Sequence, residues 1–317
     1  MNPKIYLAPM AGVTDLSFRL ISRSFGAAHC FFEMVDSMST VYGHPKNSRL
    51  LKTHKKDSPI AAQLVGADPK VMLEAAETLI SLVEITSLDI NSGCPAPKIT
   101  KKGAGAGLLK DTAKLSKIIK TLVSKLRIPV TVKMRTGYSR RDLSECVRTA
   151  KECEASGAST LFIHGRIASQ GYSGDIDYEA IRAVKEALKI PVFGSGNIFD
   201  HLMAKKMLDE TGCDGILVAR GALGNPWIFK NIENYLECGK DPKIPTLSEK
   251  KKVLKKHLAY IEKYKDIRLS NKAGYMGKVA MTYLKGFPSA RRIRDDICRV
   301  RSYKELLKLI NRVKIKR

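Results

Sequence analysis

A lone cysteine stands between a glycine and a proline in Asn91-Ser92-Gly93-Cys94-Pro95, just past the short apolar run at residues 88–90. Glycine permits close approach and proline stiffens the chain, so the thiol is either caught in a rigid turn by accident or held toward something. An ordinary thiol, with a pKa of about 8.5, is mostly protonated at neutral pH and can serve as a general acid. Other polar residues interrupt apolar runs in the same way. Gln63 lies within residues 60–65, and Lys133 and Arg135 within VKMRTG. His164-Gly165-Arg166, Gly194-Ser195-Gly196-Asn197 and Ala219-Arg220-Gly221 each follow a run of β-type residues. A lysine in an apolar strand is costly to bury unless paired. Lys133 could meet a neighbouring carboxylate, an anionic ring or a phosphate. The glycine-rich exits near Ser195 and Arg220 suit a phosphate, because backbone N–H groups approach an anion closely only where no Cβ intervenes. Arg220 would add a charge-assisted bond. The alternative is that these glycines only turn the chain. His164 could be a hydrogen-bonded structural histidine. Gln63 could face a flat heterocycle or a backbone edge.

These residues need elements that bring them to one place. Candidate strands occupy residues 5–7, 30–35, 60–65, 87–90, 130–133, 160–164, 192–194 and 215–218. Each is apolar on consecutive residues, as a parallel strand covered on both faces is. Helical stretches lie between them at 71–82, 111–126, 142–155, 177–188 and 200–210, with Asp68, Asp111, Asp142, Asp177 and Asp200 near N-cap positions. Eight β–α units in about 230 residues fit a (β/α)8 TIM barrel, with a doubly wound sheet as the alternative. In such a barrel chemistry gathers at the C-terminal strand ends, where the polar residues above fall. Asn91, Arg135 and Tyr172 are candidates for gripping a substrate there. The run Gly103-Ala104-Gly105-Ala106-Gly107 is spaced wrongly for a dinucleotide fingerprint and reads as a mobile loop. After Gly239 the texture changes through Asp241-Pro242 to amphipathic helices at 248–265, 271–283, 290–299 and 303–313. The expected division is a barrel over residues 1–240 and a small basic all-helical domain over 241–317.

Charge bounds the partners. The net charge is +25, and residues 241–317 carry 15 Lys and 8 Arg against 4 Asp and 3 Glu, +16 of that total. A polyanion such as nucleic acid is the first candidate, with a solvated Lys-rich surface as the other reading. Seven cysteines at wide spacing, without a C-x-x-C pair, argue for reduced thiols rather than a disulfide framework or a structural metal site. No H-E-x-x-H cluster and no P-loop motif is present. No run approaches the roughly 18 apolar residues of a membrane span, and the first residues lack a signal-peptide pattern, so a cytoplasmic protein is expected.

Taken together, LAPMAGVTDLSFR (7–19), NSGCP (91–95), KKGAGAGLL (101–109), VKMRTG (132–137), IHGR (163–166), QGYSG (170–174), GNPWIF (224–229) and KGFPSARRIRD (285–295) resemble the tRNA-dihydrouridine synthases. The resemblance spans the chain. It implies an FMN-bound barrel followed by an RNA-binding helical domain, acting on a D-loop uridine of tRNA, as a monomer, with NADPH or NADH as reductant. It also implies that Pro9, Met10 and Ala11 line the flavin and that Gln63 and Lys133 face its ring. His164, Ser195, Gly196, Asn197, Ala219 and Arg220 would reach its ribityl chain and phosphate. Asn197 stands where the family often carries aspartate, and Ala219 where it often carries glycine. By the same resemblance reduced flavin delivers hydride to C6 of uracil and Cys94 protonates C5. An enzyme that treats a base must take it out of its stack. Two rival functions are a flavin barrel acting on a free pyrimidine, like a dihydroorotate oxidase, and a non-catalytic tRNA-binding chaperone.

Overall fold

A computed structural model describes residues 3–44, 46–285 and 290–313. Its strands are β1 (Lys4–Leu7), β2 (Cys30–Phe31), β3 (Val35–Asp36), β4 (Ile60–Val65), β5 (Ser87–Ser92), β6 (Val130–Arg135), β7 (Thr160–His164), β8 (Val192–Ser195) and β9 (Gly215–Val218). All pair in parallel, in the order β1-β9-β8-β7-β6-β5-β4-β2, with β3 also on β4. The two ends of this order meet. Tyr6 bridges His29, and the Leu7 N–H donates to the His29 carbonyl at 2.9 Å. The sheet therefore closes into a (β/α)8 barrel, and an open doubly wound sheet is excluded. The second stave, expected as one run over residues 30–35, is split into β2 and β3. At the split Glu33 turns to accept the Gly12 N–H.

The intervening helices are α1 (Leu16–Arg23), α2 (Ser37–Val41), α3 (Lys46–Leu50), α4 (Pro69–Leu82), α5 (Pro97–Thr100), α6 (Thr112–Lys125), α7 (Leu143–Ala155), α8 (Tyr178–Ala187), α9 (His201–Thr211) and α10 (Ile228–Cys238). The aspartates expected as caps do that work. Asp68, Asp111, Asp142, Asp177 and Asp200 each accept backbone N–H groups in the first turns of α4, α6, α7, α8 and α9. Pro69 opens α4, where its missing N–H costs nothing.

Strand side chains alternate faces, so inward residues recur every second position. One inward layer is apolar: Phe31, Ala61, Phe162, Phe193 and Leu217, with Tyr6 stacked on Phe193 at 4.6 Å and Phe31 edge-on to Phe162 at 5.4 Å. This plug fills the barrel. Two residues further along, the same face carries Gln63, His164, Ser195 and Ala219 after Ala61, Phe162, Phe193 and Leu217. The polar residues are thus lifted onto the C-terminal rim by a packed floor.

Four more helices follow: α11 (Leu247–Tyr264), α12 (Leu269–Tyr283), α13 (Ala290–Arg299) and α14 (Tyr303–Arg312). Thr246 and Glu249 form a capping box, so α11 starts one residue before the amphipathic pattern suggests. These helices bury a second core that includes Leu254, Leu258, Ile261, Met276, Leu306 and Ile310. They dock on the barrel through Asp15, the N-cap of α1. Its Oδ2 accepts from Lys265 Nζ at 2.6 Å and from Tyr275 Oη at 2.9 Å. Burial drives the Asp15 carboxyl up, but Lys265 and the Phe18 N–H outweigh it and hold it below its ordinary value. No helix of the described residues is long and apolar enough to cross a membrane.

Candidate active site

The C-terminal rim opens on a cavity of about 360 Å³. All the residues singled out in the sequence line it: Pro9, Met10, Ala11, Gln63, Asn91, Cys94, Lys133, Arg135, His164, Tyr172, Ser195, Gly196, Asn197, Ala219 and Arg220. They come from seven of the eight staves, and the barrel register is what assembles them.

Cys94 sits partly exposed at one side of this cavity. Three residues, Asn91, Arg135 and Ala106, hold its turn. The Asn91 Oδ1 accepts the backbone N–H of Gly93 at 3.1 Å and of Cys94 at 2.9 Å. Arg135 Nε donates to the Gly93 carbonyl at 2.7 Å, while its Nη1 reaches the carbonyls of Ile167 and Gly171 at 3.0 and 2.9 Å. The Ala106 N–H donates to the Cys94 carbonyl at 3.0 Å. This last contact corrects the reading of residues 103–107 as a mobile loop. Gly105 to Leu109 are buried, the 3-10 helix Gly105–Lys110 backs directly onto Cys94, and a Cβ on Gly105 would stand 2.8 Å from the Cys94 carbonyl oxygen. The other cysteines are elsewhere. Burial pushes the Cys30, Cys146 and Cys153 thiols up to about 12, which makes them inert.

Asn91 and Arg135 were candidates for gripping a substrate. Asn91 instead gives its amide to the protein, donating from Nδ2 to Gln63 Oε1 at 2.9 Å and to Met34 Sδ at 3.2 Å. Gln63 in turn donates to Asp89 Oδ2 at 2.6 Å. Asp89, a charged residue between Leu88 and Ile90, carries the same signal in the sequence as Lys133. Burial pushes the Asp89 carboxyl up and the Lys133 ammonium down, and their mutual attraction opposes both shifts. Lys133 opens on the cavity, with no salt-bridge partner among the described residues.

The lining also holds Arg220 and the glycines Gly196 and Gly221. Arg166, a second residue the sequence reading left without a role, is buried. Its Nη2 donates to Asn197 Oδ1 at 3.1 Å, and Arg220 Nη2 approaches the same oxygen at 3.4 Å. Asn197 has φ +50°, a left-handed conformation that asparagine tolerates better than most residues. Gly196 has φ +134°, and a Cβ there would stand 2.4 Å from Ile176 Cδ1. At Gly221 a Cβ would stand 2.0 Å from the Ile198 carbonyl oxygen. Burial, reinforced by Lys133, Arg135, Arg166 and Arg220, holds His164 down to about 2, so its imidazole is neutral. The His164 Nε2 and the Arg166 Nη1 are buried without a partner among the described residues. Tyr172 is exposed over the mouth, its ring 5.7 Å from the Arg135 guanidinium and 5.2 Å from that of Arg220, which also lies 5.5 Å from Phe199.

The comparisons with known proteins meet this geometry. The family model described as dihydrouridine synthase (Dus) matches residues 6–317. The chain belongs to the dihydrouridine synthase family. A tRNA-dihydrouridine synthase B of Pseudomonas aeruginosa is 37% identical over 301 residues, covering 94% of this chain and 88% of that protein. One from Pseudomonas putida is 40% identical over 265 residues, covering 83% and 78%. A probable tRNA-dihydrouridine synthase 1 of Synechocystis is 34% identical over 305 residues, covering 96% and 84%. Among solved structures, histamine dehydrogenase from Rhizobium sp. 4-9 aligns with a TM-score of 0.57 at 11% identity, over 81% of this chain and 48% of that one. A 2-naphthoyl-CoA reductase aligns at 0.55 and 11%, over 73% and 49%. These two share the barrel with this dihydrouridine synthase at the level of fold.

A flavin mononucleotide fits what the cavity offers. The Arg220 guanidinium and the backbone of Gly196 and Gly221 on the lining suit its phosphate, and Lys133, without a salt-bridge partner among the described residues, suits an electron-rich ring. His164, which lines the cavity, has an Nε2 left without a partner among the described residues, as a site completed by a ligand would.

Proposed function

We propose how this chain performs the reaction of its family, the reduction of uridine to 5,6-dihydrouridine in tRNA. The observation that carries the proposal is one cavity whose lining holds the thiol of a fixed turn together with Lys133, Arg220, Gly196 and Gly221. FMN is the flavin, held by Pro9, Met10, Ala11, Gln63, Lys133, His164, Ser195, Gly196, Asn197, Ala219 and Arg220. Arg166 joins that set through the oxygen it shares with Arg220. With NADPH as reductant, FMN held by these residues would supply the hydride for C6 of the uracil ring.

The residues of the chain do the rest. Cys94 transfers its thiol proton to C5, which completes the addition of hydride and proton across the C5–C6 double bond. The sulfur is left as a thiolate, with the cationic Lys133 and Arg135 as its neighbours. Solvent at the open mouth returns the proton between turnovers. Asn91 holds the turn rather than the base, whereas Arg135 straps the turn and, with Tyr172 at the mouth, positions the extruded pyrimidine. Neutral His164 adds no further positive charge to the four cations around it.

Residues 1–240 carry the chemistry and residues 241–317 hold the tRNA, in the cytoplasm. The family resemblance favours a monomer. Lys251, Lys252, Lys255, Lys256, Arg294, Arg299 and Arg301 lie on the C-terminal helices or beside them and supply phosphate contacts that position the fold of the RNA. Arg291 and Arg292 belong to the same basic set, and their side chains lie outside the described residues. The motifs favour a D-loop uridine. The test is incubation with unmodified tRNA, FMN and NADPH, followed by mapping of dihydrouridine. A product confined to the D-loop is expected. Reduction of free uracil without any change in tRNA would overturn the reading.

A further inference from the structure

Asp89 is a buried carboxyl group, hydrogen-bonded to the cavity-lining Gln63, that the chemistry above does not use. It is fully buried on β5, and it forms no salt bridge among the described residues. Both of its oxygens accept hydrogen bonds: Oδ2 from Gln63 Nε2 at 2.6 Å and Oδ1 from Thr131 Oγ1 at 2.7 Å. A carboxylate can only accept. Gln63 must therefore turn its NH₂ toward Asp89, which leaves Oε1 for Asn91 Nδ2. Asn91 must then present Oδ1 to the Gly93 and Cys94 N–H groups, which can only donate. With an acceptor fixed at one end and two donors at the other, the two amides between have one orientation that satisfies every bond.

We propose that Asp89 is a positioning residue for Cys94, acting through the Gln63–Asn91 relay to hold the turn that carries the thiol. The bonds to a carboxylate are charge-assisted and stronger than neutral ones, so the chain is anchored at its buried end and delivers order to its catalytic end. The inference rests on Cys94 as the proton donor, but its test does not depend on uridine reduction.

The experiment compares three proteins, Asp89→Asn, the exchange pair Gln63→Glu/Asp89→Asn, and the parent. Amide hydrogen exchange at Gly93 and Cys94 is followed by NMR in the flavin-free protein, beside kcat and tRNA affinity in the flavin-loaded one. In Asp89→Asn the anchor is neutral and no longer restricted to accepting. Exchange at Gly93 and Cys94 is expected to accelerate at least tenfold, kcat to fall about tenfold, and tRNA affinity to stay within twofold. In the exchange pair the carboxylate introduced at position 63 accepts both from the amide introduced at position 89 and from Asn91, so the negative charge is moved one step along the relay. Exchange at Gly93 and Cys94 is expected to return to within about threefold of the parent. Unchanged exchange in Asp89→Asn overturns the proposal, and unchanged exchange with a fallen kcat places the role of Asp89 on Lys133 instead. If Asp89→Asn does not fold, the exchange pair decides: protected amides support the relay and unprotected ones overturn it. A parent protein that leaves tRNA unreduced would sink the proposed function while leaving the amide result intact.

Discussion

Arg220 ties the cationic corner of the cavity to its mouth. It approaches Asn197 Oδ1, and its guanidinium lies between the rings of Tyr172 and Phe199. Arg220→Met keeps much of the side-chain bulk and removes the charge. A charge-assisted hydrogen bond contributes about 1.5–3 kcal/mol, so FMN affinity is expected to drop between tenfold and about a hundredfold. Fluorescence titration of the flavin-free protein checks it, with kcat at saturating FMN retained. Unchanged affinity would remove Arg220 from the flavin's binding set. The residues that announce themselves in the sequence are those whose type conflicts with their immediate neighbours, such as Lys133 in an apolar strand or Cys94 in a stiff turn. Asp89 conflicts just as plainly with Leu88 and Ile90. Its meaning depends on Gln63, which lies beside it only through the β4–β5 register, and local reading does not reach that far. Arg166 is hidden for the same reason, because its partner Asn197 follows a different strand.

The elements show the same division between local and distant causes. The aspartate caps of α4, α6, α7, α8 and α9 are legible because the side chain and the N–H groups it accepts are two or three residues apart. The break between β2 and β3 is not, since it turns on Glu33 reaching Gly12. The stretch 103–107 misleads because its glycines suggest freedom. The structure uses Gly105, at φ +58°, to bring a 3-10 helix against the back of Cys94. Gly105→Ala tests this. Its Cβ has to displace the Cys94 carbonyl or Ile99, each within 2.8 Å, and a shift of about 1 Å at a reacting group can cost about a hundredfold in rate. Turnover is expected to fall by that order while flavin absorbance per mole of protein is kept. Parent-level turnover would show that the turn is held without the 3-10 helix.

For the whole molecule, the decisive facts are a closed barrel that collects the site and a basic helical part clamped to its rim through Asp15, Lys265 and Tyr275. More than half of the excess positive charge lies in residues 241–317. Binding through phosphates releases counterions, so affinity for tRNA is expected to weaken about a hundredfold or more between 50 and 200 mM salt. Filter binding over that range checks this, and a flat response would contradict an electrostatic grip. The alternation of strand and helix made the barrel legible, but closure rests on the Tyr6–His29 bridge, which no period in the sequence reveals. In the proposed function Cys94 is the proton donor to the uracil ring, and that role is central to it. The most direct measurement is a single turnover with Cys94→Ala, its flavin reduced beforehand and unmodified tRNA then added. Flavin content and tRNA affinity are expected to match the parent, with the rate of flavin reoxidation by tRNA lower by a hundredfold or more. Reoxidation at the parent rate, with dihydrouridine formed, would contradict Cys94 as the proton donor.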